Sequence, residues 1–482
     1  MSPEEFFLGA FVMSENTGKV EKGYRKGSGN VGKVESCRIY CTHGRRTMIR
    51  RSITEDIEKF FSSNDRDALL VSGPPLTGKT EVIREYGRRA FRCFVEVSLA
   101  DEEVLSTVRG FRNTKDLLTR LSAVAGGAFE EGETLIFIDN VERFPDILTA
   151  VKFLVDDGRY RYILSCSLTD TLLSSVRSIP VGYMARLDIH PLSLLEFFSA
   201  FGISDEDIAS LRTSCDEFVS VDVRLHEKCL ELFSLYLKVG GMPSAVEAWL
   251  ETGNIERVRE EQKRILGEYG KIIRNAERRG MDRMEDIFRL IPSELEKADK
   301  RFFISSLGRN MKSGRCGKSF RWLENSGLTI PVHHAVLNPY LREKQCGLFK
   351  LFMCDVGLLS ASGSSDAYGE LTENAVAEEL VSHGIRPFCY SDKKNGELDF
   401  VITFDDSILP VVVSSGKDYH RHSALKKVMA DGKYGLKKAV VFSDGNVKVK
   451  GNVVYLPVYM AAFIRNSGTG SFIYKVDLSG LT

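Results

Sequence analysis

Three features are scarce in this sequence of 482 residues: long apolar runs, an excess of one charge, and closely paired cysteines. Apolar runs such as residues 135–138 and 409–413 are far shorter than the roughly 20 residues that a membrane helix needs. Glu4 and Glu5 interrupt the first residues, which is untypical of a secretory signal. Lys plus Arg and Asp plus Glu number 66 each, so no global field attracts nucleic acid or an anionic membrane. We therefore expect a cytoplasmic protein without a membrane segment.

The ten cysteines are scattered and include no Cys-x-x-Cys pair, which indicates reduced thiols in a cytosol. Cys37, Cys41 and His43 are close enough in sequence to suggest a metal clip. A fourth ligand is not visible near them, and zinc clips normally need four. We therefore favour the alternative, in which these are unpaired residues of a loop.

The chain is too long for one hydrophobic core, and its length suggests about three domains. The stretch 14–36 is rich in Gly, Lys, Ser and Glu, and we expect residues 1–47 to form a disordered leader. Residues 48–191 alternate short apolar strands with amphipathic helices, which is typical of a parallel α/β sheet. Residues 192–280 have mostly helical periodicity and are expected to form a helical lid.

The second half of the chain predicts two further modules. Residues 281–365 read as short helices followed by two apolar strands, an order typical of a winged helix. Residues 366–482 have the order α-β-β-β-α-β, in which Asn395-Gly396 predicts a hairpin turn because both residues accept positive φ. The expected fold class is therefore α/β: a parallel sheet with a helical lid, a winged-helix middle domain and a second α/β domain.

A complete P-loop pattern follows the first predicted strand and precedes a predicted helix. It consists of Gly73, Pro74, Pro75, Leu76, Thr77, Gly78, Lys79 and Thr80. Glycines let backbone N–H groups approach phosphates closely, and the helix N-terminus adds its dipole. Lys79 would contact the β- and γ-phosphates, and the Thr80 hydroxyl would bind Mg²⁺. The pattern therefore predicts ATP and Mg²⁺ as ligands, with a glycine-rich structural turn as the alternative.

An apolar strand at residues 135–138 ends in Asp139, which suits a Walker B aspartate that holds Mg²⁺. In many ATPases of this class the next residue is a glutamate that polarises the attacking water, but this chain has Asn140. Because an amide cannot accept a proton, we expect slow hydrolysis. Glu142 could serve instead if the turn after the strand folds back, and its alternative is a surface charge.

The next predicted core strand, residues 162–165, is followed by Ser167, our candidate for a γ-phosphate sensor; a structural serine is the alternative. Arg177 and Arg186 are the nearest candidates for an arginine finger. Solvated surface roles are the interpretation that we favour for both.

These motifs lie among several further stretches with a common likeness: IPVGYM at 179–184, PLSLLEFF at 191–198, GGMPSAV at 240–246, FKLFMCDVGLL at 349–359, LTENAVAEEL at 371–380, GELDFVI at 396–402 and GKDYHRHSAL at 416–425. Together with GPPLTGKT and LIFID they resemble prokaryotic AAA-type ATPases that carry a C-terminal domain of unknown function related to the restriction-endonuclease-like fold. The resemblance covers residues 48–464. It implies an ATPase core, a winged-helix middle and a nuclease-like end.

Metal-dependent nucleases of that fold combine an acidic residue on the first helix with an Asp on one strand and a Glu-x-Lys pair on the next. Glu373 and Asp399 fit the first two positions, but Val412 replaces the carboxylate of the third and Ser414 replaces its lysine. We therefore expect no nuclease activity. Lys417, just past the strand, could substitute for the missing lysine.

A local basic cluster consists of Lys417, His420, Arg421, His422, Lys426 and Lys427. It could lie along a phosphate backbone, or it could be a solvated helix start. With the winged helix, segment 417–427 is the surface on which we expect DNA or a protein partner; an oligomer is plausible by analogy only. Three functions stay open: a Mg·ATP-dependent switch or slow ATPase, a non-hydrolysing ATP-liganded scaffold, and an ATP-gated nuclease.

Overall fold

The computed structural model describes residues 49–63, 66–127, 129–167, 182–278, 283–308, 313–337, 341–343, 349–363, 368–414, 422–466 and 474–475. The leader predicted at 1–47, the candidate clip of Cys37, Cys41 and His43, and Arg177 all lie outside these ranges. No helix within them is long and apolar enough to cross a membrane.

The first half of the structure is a parallel sheet with helices on both faces. Its elements are α1 (Ile53–Ser62), β1 (Ala68–Ser72), α2 (Lys79–Ala90), β2 (Cys93–Ser98), α3 (Glu102–Val108), α4 (Thr114–Ala125), β3 (Thr134–Asp139), α5 (Ile147–Asp157), β4 (Arg161–Cys166) and β5 (Met184–Asp188). The strand order is β5-β1-β4-β3-β2, all parallel, as the sequence predicts. The two-residue strand β15 (Tyr474–Lys475) pairs antiparallel with β5.

Strands β1 and β3 are buried along their whole length, because helices cover the sheet on both sides. Apolar residues of α3, α4 and α5 fill one side, and those of α1 and α2 fill the other. Strand β1 lies between β4 and β5 in the sheet. Because the strands are parallel, the loops that follow β1 and β3 both lie at the carboxyl edge, which is where such sheets bind ligands. The sheet therefore places the P-loop and Asp139 at one edge.

Five helices follow the sheet: α6 (Leu194–Ala200), α7 (Asp205–Asp216), α8 (Val223–Val239), α9 (Pro243–Thr252) and α10 (Ile255–Glu277). The helices predicted at 230–238 and 255–273 are confirmed and are longer than expected. Gly240 separates α8 from α9 with a φ of 75°, and Pro243 starts α9, where its missing N–H costs nothing.

The remaining elements are α11 (Met284–Leu295), α12 (Ser313–Asn325), β6 (Thr329–Val336), β7 (Arg342–Glu343), β8 (Phe349–Met353), α13 (Val356–Ser362), α14 (Tyr368–Ser382), β9 (Phe388–Asp392), β10 (Gly396–Phe404), β11 (Ser407–Val413), α15 (Ser423–Ala430), β12 (Ala439–Ser443), β13 (Lys448–Lys450) and β14 (Val453–Pro457). They build a sheet in the order β13-β14-β12-β11-β10-β9-β6-β7, with β8 also paired to β6.

This sheet crosses the boundary that the sequence places between residues 365 and 366. Strand β6 pairs antiparallel with β8 and parallel with β9, where His333 is opposite Phe388. The two strands expected as the wing of a separate domain therefore belong to the same sheet as the last domain. A pairing between residues so far apart in sequence leaves no local signal, which is why periodicity missed it.

The hairpin predicted at Asn395-Gly396 is present between β9 and β10, with Gly396 opposite Asp392. Only Gly396 has a positive φ, of 90°, so the expectation for Asn395 is wrong. The Asp392 carboxylate shapes the turn instead, because it accepts hydrogen bonds from the backbone N–H groups of Lys394 (2.8 Å) and Asn395 (3.1 Å). The closing helix predicted at 457–464 is a buried 3₁₀ helix, Val458–Phe463.

Two buried carboxylates join the helical segment to helices α13 and α14. Asp355 caps α13 by accepting from the Leu358 N–H (2.9 Å), and its other oxygen accepts from the Gly241 N–H (2.6 Å). Burial raises the pKa of Asp355 to about 6. Glu379 of α14 accepts from the N–H of Leu194, at the start of α6 (2.6 Å). Helices of the expected lid are thus held by the C-terminal segment.

Candidate active site

The P-loop leaves β1 at Ser72 and enters α2 at Lys79. Its backbone has positive φ at Gly73 (154°), Leu76 (66°) and Gly78 (87°). A Cβ at Gly73 would lie 2.0 Å from the Ile189 carbonyl oxygen, so no larger residue fits there. These conformations wrap the loop around the N-terminus of α2, the arrangement that binds phosphate.

The Lys79 side chain lies inside the loop and is only 7% exposed. Its Nζ donates to the carbonyl oxygens of Gly73 (2.9 Å) and Pro74 (2.8 Å). Burial lowers the pKa of Lys79 to about 8, although the negative charges of Glu142 and Asp139 act in the opposite direction. The lysine is therefore a buried cation at the position predicted for the β- and γ-phosphates.

Asp139 ends β3 opposite the first turn of α2. The Thr80 hydroxyl lies 3.4 and 3.3 Å from its two carboxylate oxygens, and the Ser165 hydroxyl donates to one of them. Burial is the largest influence on Asp139 and raises its pKa. Oxygen ligands from Thr80 and Asp139 fit Mg²⁺, which uses one or two protein ligands beside phosphate and water. Elsewhere in the described ranges, no group of three or more His, Cys, Asp or Glu could hold a metal.

Ser165 was not predicted from the sequence, because the candidate hydroxyl there was Ser167, the residue after the strand. The only local signal is a hydroxyl within an otherwise apolar strand, β4. The same hydroxyl accepts from the N–H of Asn140 (3.3 Å), so it fixes both the carboxylate and the turn that follows.

The chain folds back directly after Asp139. Asn140 has the left-handed conformation (φ 60°, ψ 48°), and the next three residues form a 3₁₀ helix, Val141–Arg143. This turn brings Glu142 to the end of β4, where one carboxylate oxygen accepts from the N–H of Ser167 (3.3 Å). The other oxygen is buried and has no hydrogen-bond partner among the described residues. Burial raises the pKa of Glu142.

The outer side of the P-loop is held by residues from three other segments. Arg51 donates to the carbonyl oxygens of Thr77 (2.9 Å) and His190 (2.7 Å), and it forms a buried ion pair with Glu196 of α6 (3.1 Å). The Tyr269 hydroxyl of α10 donates to the Pro75 carbonyl (3.0 Å). None of these contacts was predictable from spacing, because each bridges distant parts of the chain.

A cavity of about 410 Å³ lies between the P-loop edge and the C-terminal segment. Ser72, Gly73, Ser167 and Arg186 are on one wall, and Gly327 is on the other. The surface role that we favoured for Arg186 is wrong, because its Nε donates to Asp188 (2.8 Å) and to the Ser72 hydroxyl (3.1 Å) beside the P-loop.

The expected nuclease-like residues Glu373 and Asp399 do come together, but around lysines that the sequence did not suggest. Glu373 is 3% exposed and accepts from Lys300 (2.5 Å) and Lys350 (2.9 Å). Lys350 is also 3.7 Å from Asp399. The lysine charges lower the pKa of Glu373 against its burial, whereas burial raises that of Asp399 to about 6.

The other expected positions of that centre contribute no charge. Val412 packs with the cluster under α15, and the Ser414 N–H donates to the Phe442 carbonyl (2.9 Å). Lys417, His420 and Arg421 lie outside the described residues. Of the remaining basic cluster, Lys426 and Lys427 are exposed on α15 and His422 is partly buried.

Three family models match successive segments of the chain. Residues 65–198 match an AAA domain. Residues 230–367 match a Domain of unknown function (DUF8612), and residues 368–460 match another (DUF4143). A comparison with curated proteins finds no match.

Two solved structures are similar at low identity. A Walker-type ATPase of Pyrococcus abyssi is 14% identical over 66% of this chain and 97% of its own, with a TM-score of 0.41. The Orc1 protein of Aeropyrum pernix, solved in complex with DNA, is 13% identical over 65% of this chain and 90% of its own, with a TM-score of 0.27. Because the P-loop and Asp139 both lie inside the segment matched at residues 65–198, the chain contains an AAA-type, ATP-binding P-loop ATPase domain.

Proposed function

We propose that this protein is a Mg·ATP-dependent switch that hydrolyses ATP, with Glu142 in place of the missing glutamate at position 140 as the hydrolytic base. The observation that carries the proposal is the buried Glu142 oxygen that has no hydrogen-bond partner in the described part of the chain, next to a buried lysine. A lone carboxylate oxygen in such surroundings costs stability, so a functional reason for it is expected.

The P-loop residues bind the triphosphate. Backbone N–H groups of the loop donate to phosphate oxygens, and Lys79 adds a positive charge in a site with little water. The Lys79 contacts with the carbonyls of Gly73 and Pro74 keep its Nζ inside the loop. Thr80 and Asp139 would hold Mg²⁺, which neutralises charge on the phosphates when it is bound.

Glu142 is suited to orient and deprotonate a water molecule. Its bond to the Ser167 N–H fixes one oxygen and leaves the other for the water. The raised pKa makes the carboxylate a stronger base than an exposed one. In this reading, Ser167 positions Glu142 through its backbone and lines the cavity beside the P-loop.

Nucleotide state can pass to the rest of the chain through direct contacts with the P-loop. Arg51 joins Thr77 to Glu196 of α6, and Tyr269 joins Pro75 to α10. Movement of the loop around phosphates would shift these helices. Glu379 of α14 contacts the start of α6, and Asp355 at the start of α13 contacts the turn before α9.

Glu142→Gln tests the proposal, with Glu85→Gln as the control because Glu85 is exposed on α2. We expect Glu142→Gln to bind a fluorescent ATP analogue normally and to lose at least about 10²-fold in phosphate release. Binding without hydrolysis in the unmodified protein would favour the non-hydrolysing scaffold. Equal turnover of Glu142→Gln and the unmodified protein would exclude Glu142 as the base.

We propose that the last domain has a nuclease-like fold but no nuclease activity, and that it binds a partner instead of cleaving DNA. Two lysines, Lys300 and Lys350, neutralise the carboxylates that a metal would need. Because Lys426 and Lys427 are exposed, the proposed partner is DNA or an acidic protein. Incubation with plasmid DNA and Mg²⁺ or Mn²⁺ should leave the DNA intact. Cleavage that disappears in Asp399→Ala would restore the ATP-gated nuclease.

A further inference from the structure

Arg186 is a partly buried cation in the middle of strand β5, and it lies beside the start of the P-loop. Its side chain is 27% exposed, and its Nε donates to Asp188 on the same strand (2.8 Å) and to Ser72 on the neighbouring strand (3.1 Å). Ser72 is directly followed by Gly73. The guanidinium group is therefore fixed beside the first residue of the loop.

The same cavity wall includes the start of the P-loop and the residue whose backbone positions the proposed base. Ser72, Gly73, Ser167 and Arg186 all line the cavity of about 410 Å³, and the backbone N–H of Ser167 holds Glu142. Arg186 thus shares one space with the start of the P-loop and with the residue that positions the base.

The opposite wall of this cavity belongs to the same chain. Gly327, Thr329 and Glu379 line it, and a Cβ at Gly327 would be 2.9 Å from the Pro74 ring. Residues of this chain therefore line both sides of the cavity beside Arg186.

We propose that Arg186 is an arginine finger supplied in cis, whose guanidinium binds the γ-phosphate of ATP during hydrolysis. The inference rests on the proposed function and adds the residue that stabilises its transition state. A planar guanidinium presents several donors that match phosphate oxygens.

In the step itself, a water oxygen forms a bond to the γ-phosphorus and the bond between that phosphorus and the bridging oxygen of ADP breaks. The electron pair of that bond leaves with ADP, and the water proton goes to Glu142. Arg186 stays protonated and donates hydrogen bonds to the γ-phosphate oxygens as their charge shifts. No oxidant or further reactant is needed.

The test uses the full chain with Arg186→Ala and Arg186→Lys. Arg159→Ala is the matched control, because Arg159 also donates through Nε to an aspartate two residues away, Asp157 (2.7 Å), but lies on the surface away from the cavity. Arginine fingers are worth on the order of 10³ or more in rate, so we expect at least about 10²-fold lower kcat in Arg186→Ala with ATP affinity within about threefold.

A second measurement separates this inference from the proposed function. The ADP–aluminium fluoride complex mimics the transferring phosphate, and its affinity should fall at least about tenfold in Arg186→Ala while ADP affinity is unchanged. Arg186→Lys keeps the charge but not the planar donors, and should recover less than about a tenth of the lost rate.

If both Arg186 variants have unchanged kcat and unchanged affinity for the ADP–aluminium fluoride complex, the inference is overturned. ATP hydrolysis with Glu142 as the base would then still stand. If the unmodified protein does not hydrolyse ATP, the proposed function fails. The affinities for the ADP–aluminium fluoride complex then show by themselves whether Arg186 binds the γ-phosphate position. If Arg186→Ala does not fold, the same measurements on Arg186→Lys decide.

Discussion

Gly327 packs directly on Pro74, so the turn that follows α12 touches the first proline of the P-loop. A Cβ at Gly327 would lie 2.9 Å from Cγ of Pro74, and its φ of 70° disfavours any other residue. Through this contact the C-terminal half of the chain packs directly against the P-loop.

Gly327→Ala should therefore lower the free energy of unfolding and weaken ATP binding. The left-handed conformation costs an alanine roughly 1–2 kcal/mol, and the clash with Pro74 adds to this. Gly126→Ala is the matched control, because Gly126 has a φ of 74° and nothing within 4 Å of its Cβ position. Denaturant unfolding and ATP titration of both variants measure the difference. Equal losses in the two would show that the Pro74 contact has no energetic role.

Asn140→Glu restores the residue usual in such ATPases, yet we expect it not to raise kcat. Asn140 is in the left-handed region with a φ of 60°, which asparagine tolerates and glutamate does not. The substitution should cost roughly 1 kcal/mol of stability and leave turnover within about threefold, because Glu142 already serves as the base. A tenfold rise in phosphate release would instead identify Asn140 as the lesion that slows the enzyme.

ATP affinity should fall as the pH rises above about 8. Burial lowers the pKa of Lys79 to about 8, and phosphate binds the protonated lysine. The binding energy is therefore fully present below that pKa, and Kd should rise by up to about tenfold per pH unit above it. Lys79→Arg should bind more weakly but show a flat profile, because arginine keeps its charge. A flat profile for the unmodified protein would contradict the assigned pKa.

Lys350→Met should destabilise the chain by on the order of 3 kcal/mol, because it leaves the buried Glu373 and the partly buried Asp399 with only part of their compensating charge. Adding Glu373→Gln to Lys350→Met should recover much of this loss, since the double variant removes one charge of each sign. Thermal and denaturant unfolding measure both. Additive losses in the double variant would show that the two residues do not interact.

The sequence by itself determined the ATPase half of the molecule. Its P-loop, the strand before Asp139 and the alternation of strands with helices are local patterns, and backbone geometry converts them into one parallel sheet with the loop at its carboxyl edge. The likeness of the last domain, residues 366–482, to a nuclease fold also came from sequence, and it stays a prediction.

Only the tertiary structure decided which side chains meet. Lys350 lies beside Glu373 and Asp399 because β8 joins the last sheet through β6, and Arg186 lies beside Ser72 because β5 pairs with β1. Glu142 lies beside Ser167 because Asn140 reverses the chain. Each contact joins residues that are distant in sequence or depends on one backbone angle, and neither hydrophobic periodicity nor motif spacing carries that information.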